Sequence, residues 1–201
     1  VKVIPWDHPV DNRVKYRYRK QRGVNLGSWF ALESWLTGSL FENAKEPRSC
    51  DIDLVKGMKP DDAKALLEHH WDNFINDGDW SWMKAHGVNS VRIPILYSHF
   101  LAGNPDHKKL LKGTEYGPYG FVYEGAWKRI VQAIEKARSL NIGVLMDVHG
   151  VPGGQNGDSH CGKSDGNAGF WHGLHASSNR KVTIKILVAL AEAISLSLIH
   201  I

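Results

Sequence analysis

The feature that most constrains this chain is the stretch from Asn141 to Gly157, NIGVLMDVHGVPGGQNG, where an apolar run passes directly into a loop of glycine and proline. An apolar run without a turn residue after Gly143 predicts a strand buried on both faces of a parallel sheet. Strand side chains alternate, so Leu145, Asp147 and His149 share one face and Val144, Met146 and Val148 share the other. A carboxylate and an imidazole therefore stand in line, with the imidazole at the strand's C-terminal end, where α/β folds build their sites. The loop after it holds Gly150, Pro152, Gly153, Gly154 and Gly157 with the amides Gln155 and Asn156, a composition that lets backbone and small polar groups approach a ligand.

Other segments repeat the pattern of helix followed by strand. RGVNLGSWF, residues 22–30, reads as a strand with Val24 and Leu26 on one face and Gly23, Asn25 and Gly27 on the other. Residues 42–60 are polar and broken by Pro47, Gly57 and Pro60, after which Pro60, Asp61 and Asp62 start a helix with an apolar stripe from Ala63 to Ile75. A short helix ends at Gly87, and VNSVRIPI, residues 88–95, predicts a second strand with Val91, Ile93 and Ile95 on one face and Arg92 and Pro94 on the other. Arg92 needs a partner: Asp147, a carboxylate outside this chain, or solvent at an exposed sheet edge. Residues 97–120 read as a long aromatic loop and 121–140 as one helix, with its stripe on Tyr123, Trp127, Ile130, Val131, Ile134 and Ala137 and a Glu124–Lys128 pair. Helical periodicity returns over residues 179–194.

Composition excludes several classes. The 201 residues are 42% hydrophobic and 23% charged, with eight Trp and 20 Gly, which is a folding composition and suggests flat apolar platforms among close-turning loops. Cys50 and Cys161 fit neither a disulfide scaffold nor a paired zinc site, and His69–His70 and the histidines His160, His172 and His175 fail on metal-ligand spacing. No apolar run reaches the ~20 residues needed to span a bilayer. The net charge of +4 arises from scattered Lys and Arg apart from the cluster Arg13, Lys15, Arg17, Arg19, Lys20 and Arg22, which reads as a solvated lead-in over residues 1–21 rather than a nucleic-acid surface. The sequence offers no phosphate-cradling glycine motif and no metal quartet.

The βα repeats predict strands in one parallel sheet. A closed eight-strand βα barrel takes about 250 residues, so three to four units over residues 22–194 are expected to be either a smaller fold or, the favoured reading, a cut piece of such a barrel, with residues 195–201 an atypical tail.

In series, RGVNLGSWFALESWLTGSLFE, GVNSVRIPI and LMDVHGVPGGQNG resemble the N-terminal part of fungal exo-β-1,3-glucanases of glycoside hydrolase family 5. The resemblance implies a (β/α)8 fold and retaining hydrolysis of β-1,3-glucan that releases glucose. It implies that Glu33 hydrogen-bonds sugar hydroxyls in the innermost subsites and that Arg92 sits beneath the nucleophile, which favours a carboxylate outside this chain over Asp147 as the partner of Arg92. His149 would contact the sugar beside the cleavage point and Asn156 the next, with Tyr97 also in the binding wall. The catalytic acid/base and nucleophile glutamates are expected downstream, and no Asn-Glu-Pro motif occurs in this sequence. A monomer is expected, and the family implies an extracellular or cell-wall setting and a glucan or oligosaccharide as partner. Ser28 replaces a glycine usual in the family, and Leu96-Tyr97-Ser98 replaces Gly-Tyr-Trp, which removes a stacking surface and leaves other β-glucosides open as substrates. A contrasting expectation is a non-catalytic glucan-binding chain using Trp29, Trp35, Tyr97 and Trp171 as platforms.

Overall fold

The computed structural model describes residues 18–196, so the basic residues Arg13, Lys15 and Arg17 and the tail 197–201 lie outside the described residues. Strands β1 (Gly23–Asn25), β2 (Ser90–Leu96) and β3 (Gly143–Gly150) form one parallel sheet in chain order. Helices α1 (Asp51–Gly57), α2 (Pro60–Asn73) and α3 (Asp77–Ala85) connect the first pair, and α4 (Tyr97–Ala102), α5 (Gly120–Tyr123) and α6 (Ala126–Ser139) the second. Helix α7 (Ala176–Leu196) follows the glycine-rich loop.

The helices form where the sequence supplies both a start and a stripe. In α2, Pro60 occupies the first turn with Asp61 and Asp62, and Ala63, Leu67, His70 and Trp71 are buried at three- and four-residue steps. Asn76 caps α3 by accepting from the Gly78 and Asp79 backbone amides, while Asp79 accepts from the Asn76 amide, a reciprocal capping box. Val91, Ile93 and Ile95 of β2 are buried with Phe30, Leu67, Trp71, Ile130 and Ile134 in a single core.

Several expectations are corrected. The first strand is three residues long instead of spanning 22–30, because Ser28 takes a φ of 57° and turns the chain away from the ladder. Residues 51–57 are a helix that polarity concealed: Asp51 and Asp53 are buried, with Asp51 Oδ2 accepting from the Leu32 amide at 3.0 Å and Asp53 from Ser49 and Ser164. The loop expected over 97–120 begins with the fully buried α4. The helix expected over 121–140 is divided at Gly125, where a side chain would meet Glu68 Oε1 at 2.4 Å on α2. Glu124 pairs with Lys108 of the preceding segment, not with Lys128.

Part of the basic cluster is committed to the fold. Arg22 Nε donates to Gly87 O at 3.1 Å, its amide donates to Asn89 Oδ1, and Arg19 bonds Asn89 O. Cys50 and Cys161 are buried free thiols, with burial pushing the Cys50 thiol up to about 12. Among the described residues, no helix is long and apolar enough to cross a membrane.

Candidate functional site

The polar face of the sheet gathers the site. Parallel register sets Asn25 and Leu145 beside Arg92, and Asp147 beside Pro94. Arg92 on the central strand donates from Nη1 to Asn25 Oδ1 at 2.9 Å and from Nη2 to Asp147 Oδ2 at 2.7 Å. His149 Nδ1 stands 2.7 Å from the same Asp147 oxygen and 3.2 Å from Arg92 Nη2. The shorter approach to a charged acceptor decides the tautomer: Nδ1–H donates to Asp147, and the guanidinium and imidazole are two donors drawn together by one carboxylate. That leaves His149 Nε2 to accept from a ligand hydroxyl. The partner of Arg92 is Asp147 and not the carboxylate outside this chain that the family resemblance favours, because the parallel register brings Asp147 within reach on the same face, and β2 is not an edge strand. Asn25 was missed as a site residue; its place on the face of small residues with Gly23 and Gly27 was the available signal.

Glu33 is held by its own loop. Its amide donates to Ser28 Oγ at 2.9 Å, and Ser28 Oγ also meets Thr37 Oγ1 at 2.6 Å. Ser28 therefore offsets its left-handed backbone by capping the turn that presents Glu33. The Glu33 carboxylate accepts from Trp35 Nε1 at 3.0 Å. A side chain at Gly27 would meet both Asn25 Nδ2 and Glu33 Oε1 at 3.0 Å, so a small residue there lets the two polar groups lie side by side.

The glycine-rich loop packs tightly after β3. Gly154 N donates to Val151 O at 2.9 Å across Pro152 and Gly153, whose φ is 85°, the arrangement of a type II turn. Gln155 Nε2 donates back to His149 O at 2.7 Å. Asn156 Nδ2 approaches His160 Nε2 at 3.3 Å, and the His160 ring lies 5.0 Å from that of His149. Thus Arg92 and His149 meet directly, Asn156 reaches His149 through His160, and Glu33 lies beside Asn25.

Tyr97 does not fit a binding wall. It is only 1% exposed, and its hydroxyl donates to Glu115 Oε2 at 2.9 Å, so no ring face is offered to a ligand. Trp29 is likewise core, with Nε1 donating to Trp71 O at 2.9 Å. Trp35, at 77% exposed, and Trp171, at 55%, keep open surfaces. A cavity of about 290 Å³ lies beside the loop, lined by Glu115, Gly153, Lys163, His172 and Asn179 among others. Among the described residues no group of three or more His, Cys, Asp or Glu could hold a metal ion.

In the core, Asp51 Oδ1 faces His99 Nε2 at 3.9 Å, beyond hydrogen-bond distance, and neither buried atom has a hydrogen-bond partner among the described residues. His99 Nδ1 accepts from the Leu96 amide at 3.0 Å, which puts the imidazole proton on Nε2. Burial raises the Asp51 carboxyl to about 8 and lowers His99 to about 3, so both are neutral near pH 7.

No protein-family model matches the chain. It is 42% identical over 174 residues to glucan 1,3-beta-glucosidase 3 of Schizosaccharomyces pombe, covering 86% of this chain and 36% of that protein. By sequence, the chain is similar to proteins named glucan 1,3-beta-glucosidase. The glucan 1,3-beta-glucosidase of Schwanniomyces occidentalis is 34% identical over 194 residues, covering 89% of this chain and 41% of that protein. The chain thus spans well under half the length of these relatives. In fold it is similar to the rutinosidase from Aspergillus niger, with a TM-score of 0.64 at 19% identity, covering 90% of this chain and 46% of that one. It is also similar to AoRut, with a TM-score of 0.69 at 23% identity, covering 90% and 46%.

Proposed function

We propose that this chain is the N-terminal part of a (β/α)8 domain of glycoside hydrolase family 5, spanning residues 22–194. The whole protein is then a retaining exo-β-1,3-glucanase. The carrying observation is the chain of contacts Asn25–Arg92–Asp147–His149 across the polar face of the parallel sheet, which fixes an imidazole acceptor in that open face. The sequence relatives support the substrate and the solved structures support the fold.

In this reading the chain supplies binding and orientation. His149 Nε2 accepts a sugar hydroxyl, Glu33 accepts others while Trp35 steadies its carboxylate, and Asn156 presents an amide further along the loop. Arg92, held by Asn25 and Asp147, stands beneath the position of the nucleophile. Retaining hydrolysis needs two carboxyl groups about 5 to 5.5 Å apart, and both are assigned to the sequence beyond this chain. Such a mechanism needs no metal or organic cofactor. Removing His149 tests the reading: in the full-length protein, His149→Ala lowers kcat/KM on laminarin about 10- to 100-fold. Unchanged kcat/KM would refute the assigned role.

A second reading, glucan binding without cleavage, is favoured by the exposed Trp35 and Trp171 rings. It predicts retention of the chain by insoluble β-1,3-glucan and loss of that retention in Trp35→Ala.

A further inference from the structure

Gly153, in the middle of the glycine-rich loop, is gripped on both sides of its backbone. Its N–H donates to Glu115 Oε1 at 2.8 Å, and its carbonyl accepts from Lys163 Nζ at 2.9 Å. Glu115 uses its other oxygen to accept from the buried Tyr97 hydroxyl at 2.9 Å, at the residue that follows β2. Lys163 in turn lies 3.8 Å from Glu115 Oε1 and 3.2 Å from Asp165 Oδ2. A side chain at Gly153 would meet Asn179 Nδ2 at 2.3 Å and the Gly169 carbonyl carbon at 2.7 Å, so the backbone has no room to shift toward α7.

We propose that Glu115 and Lys163 are a positioning pair that clamps the Gly153 backbone to the end of β2 and so fixes where His149 and Asn156 stand. The proposal rests on the glucanase reading of the site. Two hydrogen bonds to charged groups hold a turn that has no ladder of its own, and Gln155 transmits that hold to His149 by donating to its carbonyl. Glu115 and Lys163 also neutralise each other at the cavity beside the loop, so neither charge is left alone there. Neither residue touches the Arg92–Asp147–His149 contacts directly, which separates positioning from sugar contact.

The test combines amide hydrogen exchange with kinetics in the full-length protein. Glu115→Ala should speed exchange at Gly153 about 10- to 100-fold while amides of Val91 to Ile95 stay unchanged. Lys163→Met, which removes the carbonyl donor, should speed it less, and Tyr97→Phe, which spares the bond to Gly153, least. On laminarin, Glu115→Ala should raise KM more than it lowers kcat, because sugar contacts loosen while the carboxyl pair is untouched. Unchanged exchange at Gly153, or equal acceleration in β2, would overturn the clamp, the latter by showing only a general structural role. Accelerated exchange with unchanged KM would overturn the link from clamp to site. If the unmodified protein acts on no β-glucan, the glucanase reading fails and the link to sugar binding fails with it, while the exchange measurement still decides the clamp.

Discussion

Arg92 and Asp147 meet across neighbouring strands with Nη2 2.7 Å from Oδ2, so the charge in the middle of the central strand is neutralised on the polar face of the sheet. Both side chains keep about a third of their surface, at 35% and 28% exposed, so solvent screens part of the attraction. Asp147→Ala should therefore lower stability by about 1 to 2 kcal/mol, chiefly by stranding the Arg92 and His149 donors. Urea unfolding of the variant against the parent measures it, and an unshifted midpoint would mean the pair contributes nothing.

Ser28 should matter through its hydroxyl. Ser28→Ala keeps the unfavourable φ of 57° and removes the acceptor for the Glu33 amide. A loss of about 1 to 2 kcal/mol is expected, as for removal of a helix cap. Ser28→Gly, which relieves the backbone while losing the same bond, should cost less. Thermal unfolding distinguishes them; equal losses would mean that backbone strain has no part.

Gly153→Ala should lower stability by about 2 to 4 kcal/mol, because the residue has a φ of 85° and no free space around a Cβ. A variant as stable as the parent would contradict the packing of this loop against α7.

The Asp51–His99 pair sets a pH dependence of defined sign. The Asp51 carboxyl rises from 3.8 to about 8 on folding, so the folded state holds an extra proton between those values and stability falls as pH increases through that range. His99 drops from 6.5 to about 3, so the unfolded state holds the extra proton and stability falls as pH decreases through that range. Between about pH 4 and 6.5 the two slopes oppose each other, and above about 6.5 Asp51 acts alone. Urea unfolding should show this pair's contribution level in the first window and declining toward pH 8. Asp51→Asn, which cannot ionise, should abolish the decline relative to the parent, and a decline that persists would assign it to other groups.

Much of this architecture was legible because periodicity is local. The stripe of α2 from Ala63 to Trp71, the alternation of β2 and the shared face of Asp147 and His149 follow from residue spacing, whereas Phe74 and Ile75, expected to extend the stripe, lie past the end of the helix. What spacing could not show was long-range. Asp51 and Asp53 looked solvated in a polar stretch because their hydrogen-bond partners, Leu32 and Ser164, are remote in sequence. Tyr97 looked available as a platform because its burial depends on Glu115 and on the ring of Tyr116, 5.5 Å away. Asn25 carried no motif and became visible only when strand register set it beside Arg92.

The central claim is that these strand ends form one wall of a retaining glucanase. Proton NMR of the sugar first released from laminarin by the full-length protein tests it most directly. The account predicts β-glucose as the initial product, followed by slow mutarotation to the α form. Initial release of α-glucose, or no release of glucose at all, would contradict it.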